Sequence, residues 1–148
     1  MRMQRNDPGS RLYYGDNLAV LRSHVEDASV DLVYCNGVFH HIPPKNRPAA
    51  LSYIASSLRP GGVFALWENN PWNPGARMVM HRIPFDRDAI LVWPRQARCL
   101  VRDAGLRYLR TEYRFVFPHM LRALRPLEDS VASLPLGAQY CVLSERPG

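Results

Sequence analysis

Pro48-Ala-Ala-Leu-Ser-Tyr-Ile-Ala-Ser-Ser-Leu-Arg-Pro-Gly-Gly-Val-Phe-Ala-Leu-Trp67 is the stretch that decides the fold. Proline at the first turn, then Leu51, Ile54, Ala55 and Leu58 at i, i+3, i+4 and i+7, predicts an amphipathic helix over 48–58. Arg59-Pro-Gly-Gly62 ends it, and Val63 to Trp67 is a continuous apolar run of strand length, suited to burial on both faces of a parallel sheet. Upstream, Ser29 to Cys35 is rich in β-branched and aromatic residues and stops at Asn36-Gly37, which predicts another strand. Strand, helix and strand form a β-α-β unit, right-handed by default.

Outward from that unit the pattern continues. Arg11 to Gly15 reads as a short strand, and Asp16 can cap a short helix carrying Leu18 and Leu21, while the polar residues 1–10 read as disordered. After Glu68, the turn-forming stretch Asn69 to Gly75 reads as a long loop of the functional kind. A helix is predicted over Pro94–Ala104, with Gly105 as its stop. A half-exposed strand follows over Leu109–Phe117, then one or two short helices within Met120–Leu134 around Pro126, and a last strand over Gln139–Ser144. The order argues for a single α/β domain over 1–148, a mostly parallel sheet closed by an antiparallel pair of C-terminal strands.

The 148 residues carry 47% hydrophobic and 22% charged side chains, an ordinary globular balance with enough length for a real core. No apolar run reaches the ~18 residues of a membrane span, and the start has no apolar signal-peptide core, so a soluble cytoplasmic protein without a membrane partner is expected. The net charge of +6 comes from arginines scattered along the chain with a single lysine, Lys45. That scatter argues against a nucleic-acid footprint, which gathers its cations into a patch. Cys35, Cys99 and Cys141 are far apart and form no C-x-x-C, so they read as reduced thiols.

Four blocks together resemble the C-terminal half of class I S-adenosylmethionine-dependent methyltransferases of the small-molecule type: Asp31-Leu-Val-Tyr-Cys-Asn-Gly-Val-Phe-His-His-Ile42, Leu58-Arg-Pro-Gly-Gly62, the strand ending at Glu68, and Asp103-Ala-Gly105. The resemblance implies a partial Rossmann-like fold, S-adenosylmethionine as cofactor and a small-molecule methyl acceptor, meeting outside the carboxyl ends of the strands. It puts Asp16 and Asn17 where the adenine amino group is held, and Cys35, Asn36 and Gly37 against the methionine part with His40 beside them. His40-His41 and Glu68-Asn69-Asn70 fall at the acceptor rim. The family's opening strand, its G-x-G-x-G turn and the acidic residue for the ribose hydroxyls do not occur, and those glycines are what let a backbone approach the cofactor closely. The opening segment, Leu12 to Leu21 with Ser29 to Tyr34, resembles instead the amino-group DNA methyltransferases, but runs into Cys-Asn-Gly-Val where that family has Asp or Asn, Pro, Pro and an aromatic. The expectation is a truncated or recombined methyltransferase, joined near Tyr34.

Methyl transfer requires a positioned acceptor and, for an oxygen or carbon nucleophile, a proton acceptor. His41 is the candidate base because imidazole titrates near neutrality. Glu68 is the candidate for an acceptor's amine, or else for the amides of the loop after it. Trp67, Trp72, Trp93 and Phe85 are candidate walls of an acceptor site, or core. His40, His41 and Cys35 have no further residue at ligand spacing, and no metal site is read from them. Two other readings stay open: an inactive methyltransferase-like fragment or assembly module, pairing as a homodimer through the exposed edge of Val30–Cys35, and a DNA amino-methyltransferase relative, whose DNA binding would be salt-dependent.

Overall fold

β1, Val30–Asn36, pairs in parallel with β2, Leu58–Asn69, and α1, Arg47–Ser57, carries the chain between them. The computed structural model describes residues 26–148. The strand expected at Arg11–Gly15, the helix expected after Asp16, and the candidates Asp16 and Asn17 themselves lie outside the described residues. β2 is longer than the predicted run because its first residues are drawn out along β1: Val30 is opposite Leu58, whereas Leu32 is opposite Val63. Residues 59–62 form the bulge between these pairings. Gly61 takes φ +77°, and a Cβ on Gly62 would lie 2.8 Å from the carbonyl oxygens of both Arg59 and Val30. That close approach is why the helix stop must be glycine-rich.

α2, Pro74–Arg82, lies in a region for which no helix was expected. Its signal was present in Asn73-Pro74. The Asn73 side chain accepts from the amide of Ala76 at 2.9 Å, and Pro74 occupies the first turn, where its missing N–H costs nothing. α3, Pro94–Asp103, and β3, Arg107–Arg114, follow. β3 stops three residues short of the predicted Phe117, since Phe115 adopts φ +60° and turns the chain out of the ladder. A 3₁₀ turn over His119–Leu127 and the one-turn α4, Glu128–Val131, lead to β4, Gln139–Glu145.

The sheet order is β1-β2-β4-β3. β4 inserts between β2 and β3 and is antiparallel to both, so β1, β2 and β3 point one way and β4 alone runs back. This is the expected mostly parallel α/β sheet with an antiparallel C-terminal pair. The core lies on one face of it. Phe64 and Leu66 of β2, Tyr140 and Val142 of β4, Leu51 of α1 and Val101 of α3 belong to one cluster and are fully buried. On the opposite face Val63 and Trp67 are only partly buried, so β2 is not sealed on both sides as its apolar run suggested. Among the described residues β1 has a neighbour on one side only, and its Leu32 and Tyr34 are 57% and 60% exposed. No described helix is long and apolar enough to cross a membrane.

Candidate functional site

The carboxyl ends of β1 and β2 lie side by side, and the chain leaving β1 is folded back over the end of β2. Gly37 makes the corner at φ +66°, and its amide donates to the carbonyl of Trp67 at 2.9 Å. A Cβ there would meet nothing closer than His40 Cε1 at 3.5 Å, so the glycine serves the backbone angle and not the space. Phe39, His40 and His41 then form a single 3₁₀ turn.

Glu68 holds that turn in place. It is fully buried; Oε1 accepts from the Phe39 amide at 2.8 Å and Oε2 lies 2.6 Å from His40 Nδ1. Both oxygens are thus engaged by the turn, and the carboxylate that the sequence offered to a substrate amine positions the backbone and imidazole instead. A carboxylate can only accept, so Nδ1 carries a proton, and in neutral His40 Nε2 is left with a lone pair. His40 Nε2 is buried without a hydrogen-bond partner and lies 3.5 Å from Asp86 Oδ1. Burial opposes protonation of His40, but the hydrogen bond and charge of Glu68, with Asp86 behind them, outweigh it and raise its pKa. His41 Nε2 lies 3.2 Å from the same Asp86 oxygen, and its ring is 4.2 Å, centroid to centroid, from that of His40. Asp86 was not among the sequence candidates. It comes from a 3₁₀ turn over Pro84–Asp86, beyond α2.

Arg47 secures the same region from the first turn of α1. Its Nε donates to the carbonyls of Phe39 at 3.1 Å and Ile42 at 3.0 Å, and its Nη2 donates to Ile90 at 2.5 Å. The Ile90 amide donates to His40 O at 2.8 Å. Asn70, also fully buried, bonds through Nδ2 to the carbonyls of Pro135 and Gly137, at 3.1 and 2.8 Å. It faces the 135–137 turn and is not free at the rim.

The remaining candidates separate. Asn36 is exposed, on the β1 face that carries Leu32 and Tyr34. Cys35 packs against the core cluster, where burial and then the charge of Glu68 push its thiol up to about 11. Cys141 is pushed up to about 12, mainly by burial, while Cys99 is exposed. Since only the thiolate reacts, iodoacetamide at neutral pH should alkylate Cys99 about a hundredfold faster than the other two; peptide mapping over time checks this. Trp72 and Trp93 meet edge to face at 5.9 Å, and Phe85, 77% exposed, lies over His41 at 4.3 Å, whereas Trp67 belongs to the sheet. A groove of about 770 Å³ opens at the carboxyl end of β2, lined by Asn69, Asn73, Asp86, Phe115 and Gln139 among others. That volume is in the range of small-molecule sites.

Residues 10–66 match the family described as methyltransferase domain. No curated protein matches the chain in sequence. Among solved structures, a SAM-dependent methyltransferase from Archaeoglobus fulgidus superposes with a TM-score of 0.65 at 15% identity, over 90% of this chain and 66% of that one. A SAM-dependent methyltransferase from Thermotoga maritima, described as a possible histamine N-methyltransferase, gives 0.60 at 13% identity, over 83% and 59%. An S-adenosylmethionine-dependent methyltransferase from Mesorhizobium loti gives 0.56 at 14%, over 83% and 64%. The chain spans less than two thirds of the length of each. At these identities the likeness is one of fold, a Rossmann-like α/β fold of the kind these methyltransferases have, as the resemblance implied.

Proposed function

We propose that this chain, with its methyltransferase-domain match and class I methyltransferase fold, takes part in methyl transfer from S-adenosylmethionine to a small-molecule acceptor. The observation that carries the reading is the Gly37–His41 turn, pinned by a buried Glu68 across the carboxyl ends of two parallel strands. That is where an open α/β sheet binds its ligands.

The residues present fit part of such a cofactor. Gly37 supplies a backbone corner without a side chain at the end of β1, and Asn36 offers an exposed amide beside it. We assign Cys35, Asn36, Gly37 and His40 to the methionine side, Cys35 and His40 as packing that shapes it. Asp16 and Asn17 are assigned to the adenine side. Bound, S-adenosylmethionine supplies a methyl group on a sulfonium. The protein's task is then to hold the acceptor in line and take its proton. Asn69 and Gln139 line the groove and can orient the acceptor, while Phe85 over His41 limits water. His41, half-open and oriented by Asp86, is the group able to receive the proton.

Calorimetric titration with S-adenosylmethionine and its demethylated product tests the reading. Binding is expected, and no heat at about 1 mM ligand would remove the enzyme reading for this chain. For an acceptor that must lose a proton, His41→Ala is expected to lower kcat/KM about a hundredfold without weakening cofactor binding. Full turnover in that variant would take the base role from His41.

A second reading is favoured by Leu32 and Tyr34, both more than half exposed on a strand that has one neighbour among the described residues. In it β1 pairs with a second copy of the chain. Sedimentation equilibrium distinguishes the two: a dimer that splits on Leu32→Lys supports pairing, and a monomer at all concentrations removes it.

A further inference from the structure

We propose that His40, His41 and Asp86 form a binding site for a divalent transition-metal ion of the zinc class, held through the two histidine Nε2 atoms and one carboxylate oxygen. The three ligand atoms lie within 4.8 Å of one another. Asp86 Oδ1 is 3.5 Å from His40 Nε2 and 3.2 Å from His41 Nε2. Ligands about 2.1 Å from a tetrahedral centre stand about 3.4 Å apart, so both separations are close to an edge of that polyhedron.

The second observation is the state of His40. Its side chain is 2% exposed, yet Nε2 has no hydrogen-bond partner. With Nδ1 donating to Glu68, a neutral His40 points a lone pair at a carboxylate across 3.5 Å, a distance too long for a good hydrogen bond. Two acceptors facing each other in a buried place call for positive charge between them, which either a proton on Nε2 or a metal ion supplies. A cation satisfies both, and takes His41 Nε2 as a further ligand with release of any proton it carries.

The surroundings are those of a metal ligand. Glu68 fixes the tautomer and ring orientation of His40 as carboxylates do behind zinc-bound histidines. Glu68 and Asp86 bring two negative charges, and Arg47, bonded to backbone carbonyls at Phe39, Ile42 and Ile90, offsets one. Two imidazoles and one carboxylate suit zinc or iron(II) better than magnesium, which prefers oxygen. Three protein ligands leave a coordination position for water or another donor. The ion would join the turn after β1 to the turn after α2. Occupancy engages the imidazole of His41 and withdraws its electron density, so zinc should inhibit any transfer that depends on His41 as base.

The test is equilibrium dialysis of the whole chain against zinc, with metal counted by mass spectrometry and Tm read alongside. One ion per chain and a rise in Tm that a chelator reverses are expected. Asp86→Asn and His41→Ala should each weaken binding at least about a hundredfold, and His81→Ala should leave it unchanged. Glu68→Gln removes no coordinating atom, but its amide would donate to His40 Nδ1 and force the proton onto Nε2, so a loss of about 10- to 100-fold is expected. Circular dichroism in chelator shows which variants are folded, and Asp86→Asn, on a turn outside the core, gives a variant independent of the buried pair. Absence of stoichiometric zinc at about 100 µM, or binding that survives Asp86→Asn in folded protein, overturns the proposal. No methyl transfer enters the measurement, so its failure is distinguishable from failure of the methyltransferase reading.

Discussion

Glu68→Ala is expected to lower the unfolding free energy by about 3 kcal/mol, as removal of one partner from a buried, hydrogen-bonded pair does. Its two oxygens accept from the Phe39 amide and from His40 in a place closed to water, and alanine leaves both donors without an acceptor. Glu68→Gln keeps an acceptor for Phe39 and offers its NH₂ to His40 Nδ1, so its cost should be nearer about 1 kcal/mol. Urea unfolding followed by circular dichroism measures both. An alanine cost as small as that of glutamine would show that water replaces the carboxylate. Alkylation of Cys35 adds an independent readout. Glu68 is the second cause of its raised pKa after burial, so the alanine variant should react faster there at a given pH.

Gly137→Ala is the other large effect. A Cβ at this buried glycine would lie 2.3 Å from the carbonyl oxygen of Arg114, 2.6 Å from its nitrogen and 2.9 Å from its carbonyl carbon. All three are backbone atoms at the end of β3, where Arg114 pairs with Gln139, so no rotamer change relieves the contact. The loop would have to move off the sheet, taking with it the carbonyl that Asn70 binds. A cost of about 3 kcal/mol is expected, at the upper end for overpacking. Gly61→Ala is the comparison: nothing lies within 4 Å of its Cβ, and only the φ of +77° resists. About 1 kcal/mol is then expected, the ordinary cost of a left-handed residue with a side chain. Equal Tm losses in the two variants would show that the loop before β4 yields readily.

The parts of the fold legible in the sequence are those written in local periodicity. The stripe Leu51, Ile54 and Ala55 and the apolar run after Gly62 are properties of neighbours along the chain, and α1 and β2 stand where they point. The insertion of β4 between β2 and β3 is not local, because element order allows β4 to pair with either neighbour alone. α2 could have been read from Asn73-Pro74, a side-chain cap followed by a proline suited to the first turn. The end of β3 rests on the positive φ of Phe115, which nothing in the alternation of Leu109 to Phe117 announces. At the site, His40, His41 and Glu68 stood out as chemistry-bearing residues at strand ends. What each does was hidden, because it depends on partners distant in sequence. Glu68 is taken up by Phe39 and His40, and Asp86, which joins the two histidines, belongs to a short turn with no spacing relation to them.

Arg47 has a bearing on motion. A guanidinium at the start of a helix faces the unfavourable end of the helix dipole, and this one is also 4% exposed. Its fork reaches carbonyls on both sides of a long excursion of the chain, at Phe39, Ile42 and Ile90, which a lysine's single ammonium could not span. The turn after β1 and the segment leading into α3, nearly fifty residues apart in sequence, are thereby clamped into a single stiff block. Slow opening there, read by amide hydrogen exchange, should release Ile42 and Ile90 together and not one after the other.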